Sequence, residues 1–356
     1  MKNGLFLVLV FVLCFAVGAA AQSAAAEDGK LRERLRERMQ HKTQQGAGDA
    51  DNMGDTGDGF LSARGGSACE EHFKKINRRI TAQQDRGRKL VPDVQNIAYG
   101  VHERQRLDVY MPEGSKKAAS APVILMVHGG GWCVGDKALP SVVENKVSRW
   151  TARGFVFVSV NYPMIAQGYD ALAQAHEIAV ATAYVQKHAA EWGGDGVRVI
   201  LMGHSAGAHL VSLVGASQDL RSAAGVERIL GVVSIDAGAV DIAMQMPKVI
   251  TPLKTRYAEA FGTDPAKWAP MSPLQQLDAT AAPWLGICAS TRPDEPCAQA
   301  AAYVEKSKSL GIMAQVLSLP MGHGKLNAAL GQDSAYTKRV EAFMSALDPS
   351  VALLLR

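Results

Sequence analysis

The sequence predicts a doubly wound α/β fold, with a mostly parallel sheet and helices on both faces. Three observations predict it. Apolar, β-branched runs bounded by Gly and Pro recur at Val123–Val127, Phe155–Val160, Val197–Met202, Leu230–Ile235, Trp284–Ala289 and Ala314–Leu319. Near-continuous apolar runs suit strands buried on both faces of a parallel sheet. Helical stretches lie between them, notably Tyr169–Trp192 and Gln299–Leu310, and strands alternating with helices favour this architecture. The region from about residue 94 to 347 is also long enough for one large core.

The chain reads as three segments. Met1–Ala21 opens with Lys2, runs apolar through Leu5–Val17 and ends in Ala19-Ala20-Ala21 before Gln22. That is a signal-peptide layout with an A-x-A cleavage site, and the apolar run is short for a bilayer span. A secreted or periplasmic protein is expected, with no stable membrane span after cleavage, because no later segment approaches the roughly 18 apolar residues a membrane helix needs. Residues 22–93 read as a linker: Leu31–Met39 is strongly charged and suits a short solvated helix, Gly46–Gly59 is rich in Gly and Asp, and Glu70–Lys89 is polar with a helical texture. Asp49, Asp51, Asp55 and Asp58 fail as an EF-hand loop because Met53 falls where a ligand is needed. Residues 94–356 then carry the chemistry. A formal charge of +4, with both signs interspersed, is too mild to imply a nucleic-acid or membrane partner. No CxxC pattern points to a metal or redox cofactor.

Within this third segment, Leu107–Met111 alternates as a strand and is closed by Pro112. After Val123–Val127 comes His128-Gly-Gly-Gly-Trp132. An acyl-transfer site needs backbone N–H donors aimed at a developing oxyanion, and glycines let the backbone approach without a Cβ. Gly130 and Gly131 are the candidate donors, with the Ala206 N–H as a third; His128 then braces the loop. Gly203-His-Ser-Ala-Gly207 follows the strand Val197–Met202 directly and opens the apolar, small-residue helix Ala208–Val214. A nucleophile elbow needs this context, because the serine sits in a sharp strand-to-helix turn. Ser205 is the candidate nucleophile.

Chain order selects the base. In the α/β-hydrolase arrangement the serine is followed by the acid and then the histidine, and only His209 and His323 lie beyond Ser205. His209 is inside the elbow helix, whereas His323 sits just after the last strand in Pro320-Met-Gly-His-Gly324. His323 is therefore the candidate base. For the acid, Asp294 follows the strand Trp284–Ala289 and is placed first; Asp236, ending the strand Leu230–Ile235, and Glu295 are geometric rivals. Val240–Leu277, between the sixth and seventh strands of the fold, is long for a connection and reads as an insertion capping the site. Trp132 and Tyr162 follow strands at the active edge and are candidate pocket walls. Cys69, Cys133, Cys288 and Cys297 remain after signal cleavage and allow three pairings. Cys288 and Cys297 flank the loop bearing Asp294, so a bridge there would restrict that loop; Cys133 is a rival partner, and free thiols are the alternative.

At this point the chain resembles the esterases related to bifunctional feruloyl/acetyl esterases, and also the arylformamidases (kynurenine formamidases). The resemblance rests on His128-Gly-Gly-Gly-Trp132 with Gly135-Asp136-Lys137, and on Gly203-His-Ser-Ala-Gly-Ala-His-Leu210. Leu107–Pro112, Asn161-Tyr162, Trp192-Gly-Gly-Asp195 and His323-Gly-Lys-Leu-Asn327 extend it over roughly Tyr99–Leu347. It implies carboxylic ester hydrolysis without metal or cofactor, on a small-molecule or polysaccharide-linked ester of acetyl or feruloyl type. It also supports Ser205, His323 and the Gly130–Gly131–Ala206 oxyanion hole. Many relatives have His-Gly-x-x-Asp after the seventh strand; this chain has Ala-Ser-Thr-Arg-Pro-Asp294, which leaves the acid open. Hydrolysis of an N-formyl amide would use the same residues, though a signal peptide argues against it. A non-catalytic binding module is the reading from another class, and it is disfavoured by the presence of both serine and histidine.

Overall fold

The parallel strands are where the apolar runs are, and their alternation explains how one sheet can bury both faces. In the computed structural model, which describes Cys69, residues 90–112 and residues 120–356, eight strands form one sheet. They are β1 (Val94–Ala98), β2 (Arg106–Tyr110), β3 (Ala121–Val127), β4 (Val156–Val160), β5 (Gly194–His204), β6 (Gly231–Ile235), β7 (Trp284–Ala289) and β8 (Ala314–Leu319). Their order is β1-β2-β4-β3-β5-β6-β7-β8. β1 and β2 pair antiparallel, as do β2 and β4, and every later pairing is parallel. Successive side chains of a strand point to opposite faces. Val123, Leu125, Val127, Val199 and Leu201 accordingly enter one hydrophobic cluster, while Ile124, Met126, Ile200 and Met202 enter the other.

Eleven helices among the described residues complete the fold: α1 (Pro140–Thr151), α2 (Ala171–His188), α3 (Ala206–Ala216), α4 (Gln218–Ala224), α5 (Ile242–Gln245), α6 (Thr251–Phe261), α7 (Pro273–Gln276), α8 (Pro296–Ser309), α9 (His323–Ala329), α10 (Ala335–Leu347) and α11 (Pro349–Leu354). α2 and α3 contribute to the first cluster, α1 and α10 to the second. α2 starts where Asp170 accepts a bond from the Ala173 N–H at 2.9 Å, an N-cap that satisfies one orphan donor. α5 to α7 lie in the insertion between β6 and β7 that the sequence reading expects. The expected signal peptide, the charged stretch at residues 31–39, the Asp-rich segment and the polar stretch at residues 70–89 lie outside the described residues. Among the described residues, no helix is long and apolar enough to cross a membrane.

Candidate active site

Ser205 occupies the single residue between the end of β5 and the start of α3, with φ 57° and ψ −117°. A positive φ is costly for a residue with a Cβ, so the flanking structure has to enforce it. Three backbone bonds do so: the Ser205 N–H donates to Ile235 O at 2.9 Å, and Ser205 O accepts from the N–H groups of His209 at 3.1 Å and Gly238 at 3.3 Å. The motif glycines are steric requirements. A Cβ on Gly203 would collide with the Gly207 carbonyl, and one on Gly207 with the carbonyls of Val127 and His128.

His323 opens α9 and turns its ring toward this elbow. Its Nε2 lies 3.0 Å from Ser205 Oγ, and its Nδ1 lies 2.5 Å from Asp236 Oδ2. With Nδ1–H donating to the carboxylate, Nε2 is left as an acceptor for the serine hydroxyl proton. Asp236 is fully buried at the end of β6 and also accepts from the Ala289 N–H (2.9 Å) and from Arg292 Nη1 (2.9 Å). Burial pushes its carboxyl up, but the bond from His323, the Arg292 cation and the Ala289 N–H outweigh that and hold it below the ordinary carboxylate range. The structure thus corrects the first choice of acid. Asp294 receives Arg292 Nε at 3.0 Å, Arg292 Nη2 at 2.5 Å and Gln245 Nε2 at 3.0 Å, and it does not meet His323. Glu295 pairs with Lys248 at 2.5 Å.

Gly130 (φ 130°) and Gly131 (φ 61°) carry the backbone through conformations that glycine tolerates best. Both line the cavity with Ser205 and His323. Ala206 is the first residue of α3, where an N–H has no intrahelical partner and remains available. Behind this loop, His128 is fully buried, stacks on Tyr162 with ring centroids 4.6 Å apart, and has Nδ1 2.8 Å from Gly129 O. Burial is the main cause that lowers its pKa to about 4. Tyr162 corrects a second expectation: its hydroxyl donates to His128 O at 2.9 Å, so it supports the loop from behind and forms no part of the cavity wall. Asn161 continues the support by binding the Lys137 N–H (2.8 Å) and Asp136 Oδ2 (2.8 Å), while Lys137 makes a buried ion pair with Asp108 at 2.7 Å. Cys133, at the end of the loop, is bonded to Cys69.

The cavity has a volume of about 500 Å³. It is lined by Ser205, Gly131 and Trp132 together with Val249, Leu253, Arg256 and Tyr257 of the insertion. Trp132 ties these parts together. It meets Tyr257 and Phe261 edge-on at 5.0 and 4.7 Å, and its Nε1–H donates to His209 Nδ1 at 3.2 Å. His209 Nε2–H in turn donates to Met271 O at 2.8 Å, so this histidine joins the elbow helix to the insertion and takes no part in the serine relay. Sequence reasoning did not single out Arg292, Gln245 or Arg256. The signal for Arg292 was present: an arginine two residues before Asp294 in one short loop is placed to pair with it. A second disulfide, Cys288–Cys297, closes that loop with Cα atoms 5.3 Å apart. Among the described residues, no cluster of three or more His, Cys, Asp or Glu side chains is placed to hold a metal ion.

Comparison with known proteins places the geometry among relatives. The chain is 33% identical over 119 residues to an isoprenylcysteine α-carbonyl methylesterase of Arabidopsis thaliana, covering 33% of this chain and 26% of that protein. It is 27% identical over 258 residues to the esterase LipQ of Mycobacterium tuberculosis, covering 68% of this chain and 59% of that one. The match thus spans about a quarter of the plant relative's length and under two thirds of the bacterial one's. A truncated carbohydrate esterase from gut microbiota superposes with a TM-score of 0.60 at 20% identity, over 73% of this chain and 98% of that one, which shows the shared α/β-hydrolase fold. Residues 107–306, more than half of the chain, match the BD-FAE family model, and the chain belongs to that family.

Proposed function

We propose that this protein is a serine carboxylesterase in which Ser205 is the nucleophile, His323 the general base and Asp236 the acid that orients it. The observation that carries this reading is the unbroken relay Ser205 Oγ–His323–Asp236, at 3.0 and 2.5 Å, opening into the cavity beside Gly130 and Gly131. Ser205 Oγ attacks the ester carbonyl while its proton passes to His323 Nε2. The N–H groups of Gly130, Gly131 and Ala206 receive the developing oxyanion. Collapse of the intermediate expels the alcohol, which takes the proton from His323. A water then repeats the sequence on the acyl-enzyme, releasing the acid and restoring Ser205. Asp236, held ionised, stabilises the imidazolium formed in each half.

The cavity volume and its Trp132, Val249, Leu253 and Tyr257 walls support a small acyl ester, of the acetyl or feruloyl type, as substrate. Two disulfides support an exported protein, since such bonds persist in oxidising compartments; fractionation of cells making the full chain tests this, and retention in the reduced cytosol would refute it. For the activity, Ser205→Ala should lose on the order of 10³-fold or more of kcat on p-nitrophenyl acetate while melting as the parent does. A folded Ser205→Ala protein with near-normal turnover would remove Ser205 from the mechanism.

A further inference from the structure

Arg256 has no part in that relay, yet it shares its cavity. It projects from α6, is half-buried, and lines the same cavity as Ser205 and His323. Its side chain lies against the oxyanion loop: a methyl group on Gly131 would sit 3.0 Å from Arg256 Cδ and 3.4 Å from Nη1. The neighbouring cations already have partners. Arg292 is held between Asp236 and Asp294, and Lys248 pairs with Glu295. Among the described residues, Arg256 makes no hydrogen bond or ion pair.

A guanidinium offers five donors in a planar fork that matches a carboxylate in two parallel bonds. Holding one unpaired among Trp132, Val249, Leu253 and Tyr257 forfeits part of its hydration with nothing in return, unless a ligand supplies the acceptor. We infer that Arg256 is the specificity residue for a carboxylate carried by the ester substrate itself, so that the preferred substrates are anionic esters. The position beside Gly131 sets that carboxylate a few bonds from the scissile carbonyl. Two sources fit: a half-ester of a dicarboxylic acid, with the charge on the acyl side, or an acetyl ester of an acidic alcohol such as a uronic acid. Arg292 is not the seat, because Asp236 and Asp294 already occupy its donors. This inference rests on the esterase reading above.

The test compares matched substrates on the folded full-length protein. 4-Nitrophenyl hemisuccinate against 4-nitrophenyl pentanoate probes the acyl side; 3-acetoxybenzoate against its methyl ester probes the alcohol side. The readout is the ratio of kcat/KM for the anionic member to that for the neutral one. In at least one arm, Arg256→Ala should lower the ratio about tenfold or more, the scale of a charge-assisted bond. Arg256→Lys should keep most of it, and the parent ratio should fall as salt is raised. Arg256→Gln, which retains the apolar stem, replaces Arg256→Ala if the shorter side chain unsettles α6. Ratios unmoved in both arms, with neutral esters still cleaved through Ser205, would overturn the inference and leave the esterase reading intact. Failure of the parent protein to cleave any of the four esters would overturn both.

Discussion

Arg292 donates Nε and Nη2 to Asp294 and Nη1 to Asp236, and this division decides which carboxylate serves His323. Asp294 is occupied by the guanidinium and by Gln245, whose own amide oxygen accepts from Gln299 Nε2. Asp236 Oδ2 meets the imidazole as well as Nη1, while Oδ1 takes the Ala289 N–H. Asp236→Asn should therefore lower kcat by about 10³–10⁴-fold, since an amide favours the wrong tautomer of His323. Asp294→Asn should cost under about tenfold, because it acts through Arg292. The opposite ranking in steady-state rates would return the acid to Asp294. Arg292 Nη1 also stands 3.3 Å from His323 Nδ1. The same Nη1 bonds Asp236 Oδ2 at 2.9 Å, so guanidinium and imidazole converge on one carboxylate oxygen. These residues mark the limit of what the sequence disclosed. The serine and histidine were legible because a strand-to-helix turn and a post-strand loop each admit one candidate. The acid was not, because β6 and β7 are neighbours that end at the same edge of the sheet, and strand-end position does not separate Asp236 from Asp294. Tyr162 was misplaced for a related reason: following a strand at the active edge does not say on which side of the loop a side chain falls.

The loop between β7 and α8 shows how an element can constrain such residues. Cys288 lies in β7 and Cys297 in the first turn of α8, with a sequence separation of nine. Their bond fixes both ends of the segment bearing Arg292 and Asp294. Closing so short a loop contributes about 2–3 kcal/mol in the chain-entropy model. The paired substitution Cys288→Ala and Cys297→Ala should lower stability by that amount in denaturant unfolding, with the m-value unchanged. An unaltered midpoint would mean that the loop is equally restrained without the bridge. Strands of this sheet were readable where both faces are covered: β3, β4, β6 and β7 are buried along nearly their whole length, so each shows as an apolar run. β1 was not, because it is a sheet edge whose five residues are all exposed or half-buried, leaving a mixed sequence with no periodic signal. β5 proved longer than its apolar stretch, since Gly194 already pairs with Ala121 while Asp195–Arg198 are exposed or half-buried.

At the scale of the whole molecule, the two-faced sheet buries His128 and His209 and half-buries His204 at the cavity. His128 bonds Gly129 O through Nδ1, His204 packs against His323 with ring centroids 4.6 Å apart, and His209 links Trp132 to Met271. Burial is the first cause in each case, and it lowers their pKa values to about 4, about 3 and about 4. In the unfolded chain each returns to an ordinary value near 6.5. Between pH 6.5 and about 4 the unfolded state therefore binds protons that the folded state refuses, and stability falls as pH falls. His128 and His209, both fully buried, together give a slope of up to about 3 kcal/mol per pH unit. Asp236 acts in the same sense, because its depressed pKa makes its contribution one that is present above the ordinary carboxylate range and lost as pH drops through the folded value. Melting temperature should accordingly change little from pH 8 to 7 and fall steeply from pH 6.5 to 5. His209→Gln keeps an acceptor for Trp132 and a donor for Met271 while removing one titrating group, so it should flatten that decline even if it lowers the melt at neutral pH. A melting temperature constant between pH 7.5 and 5 would mean that the buried imidazoles accept protons without loss of the fold, and that the bonds through His209 do not hold the insertion onto the elbow helix.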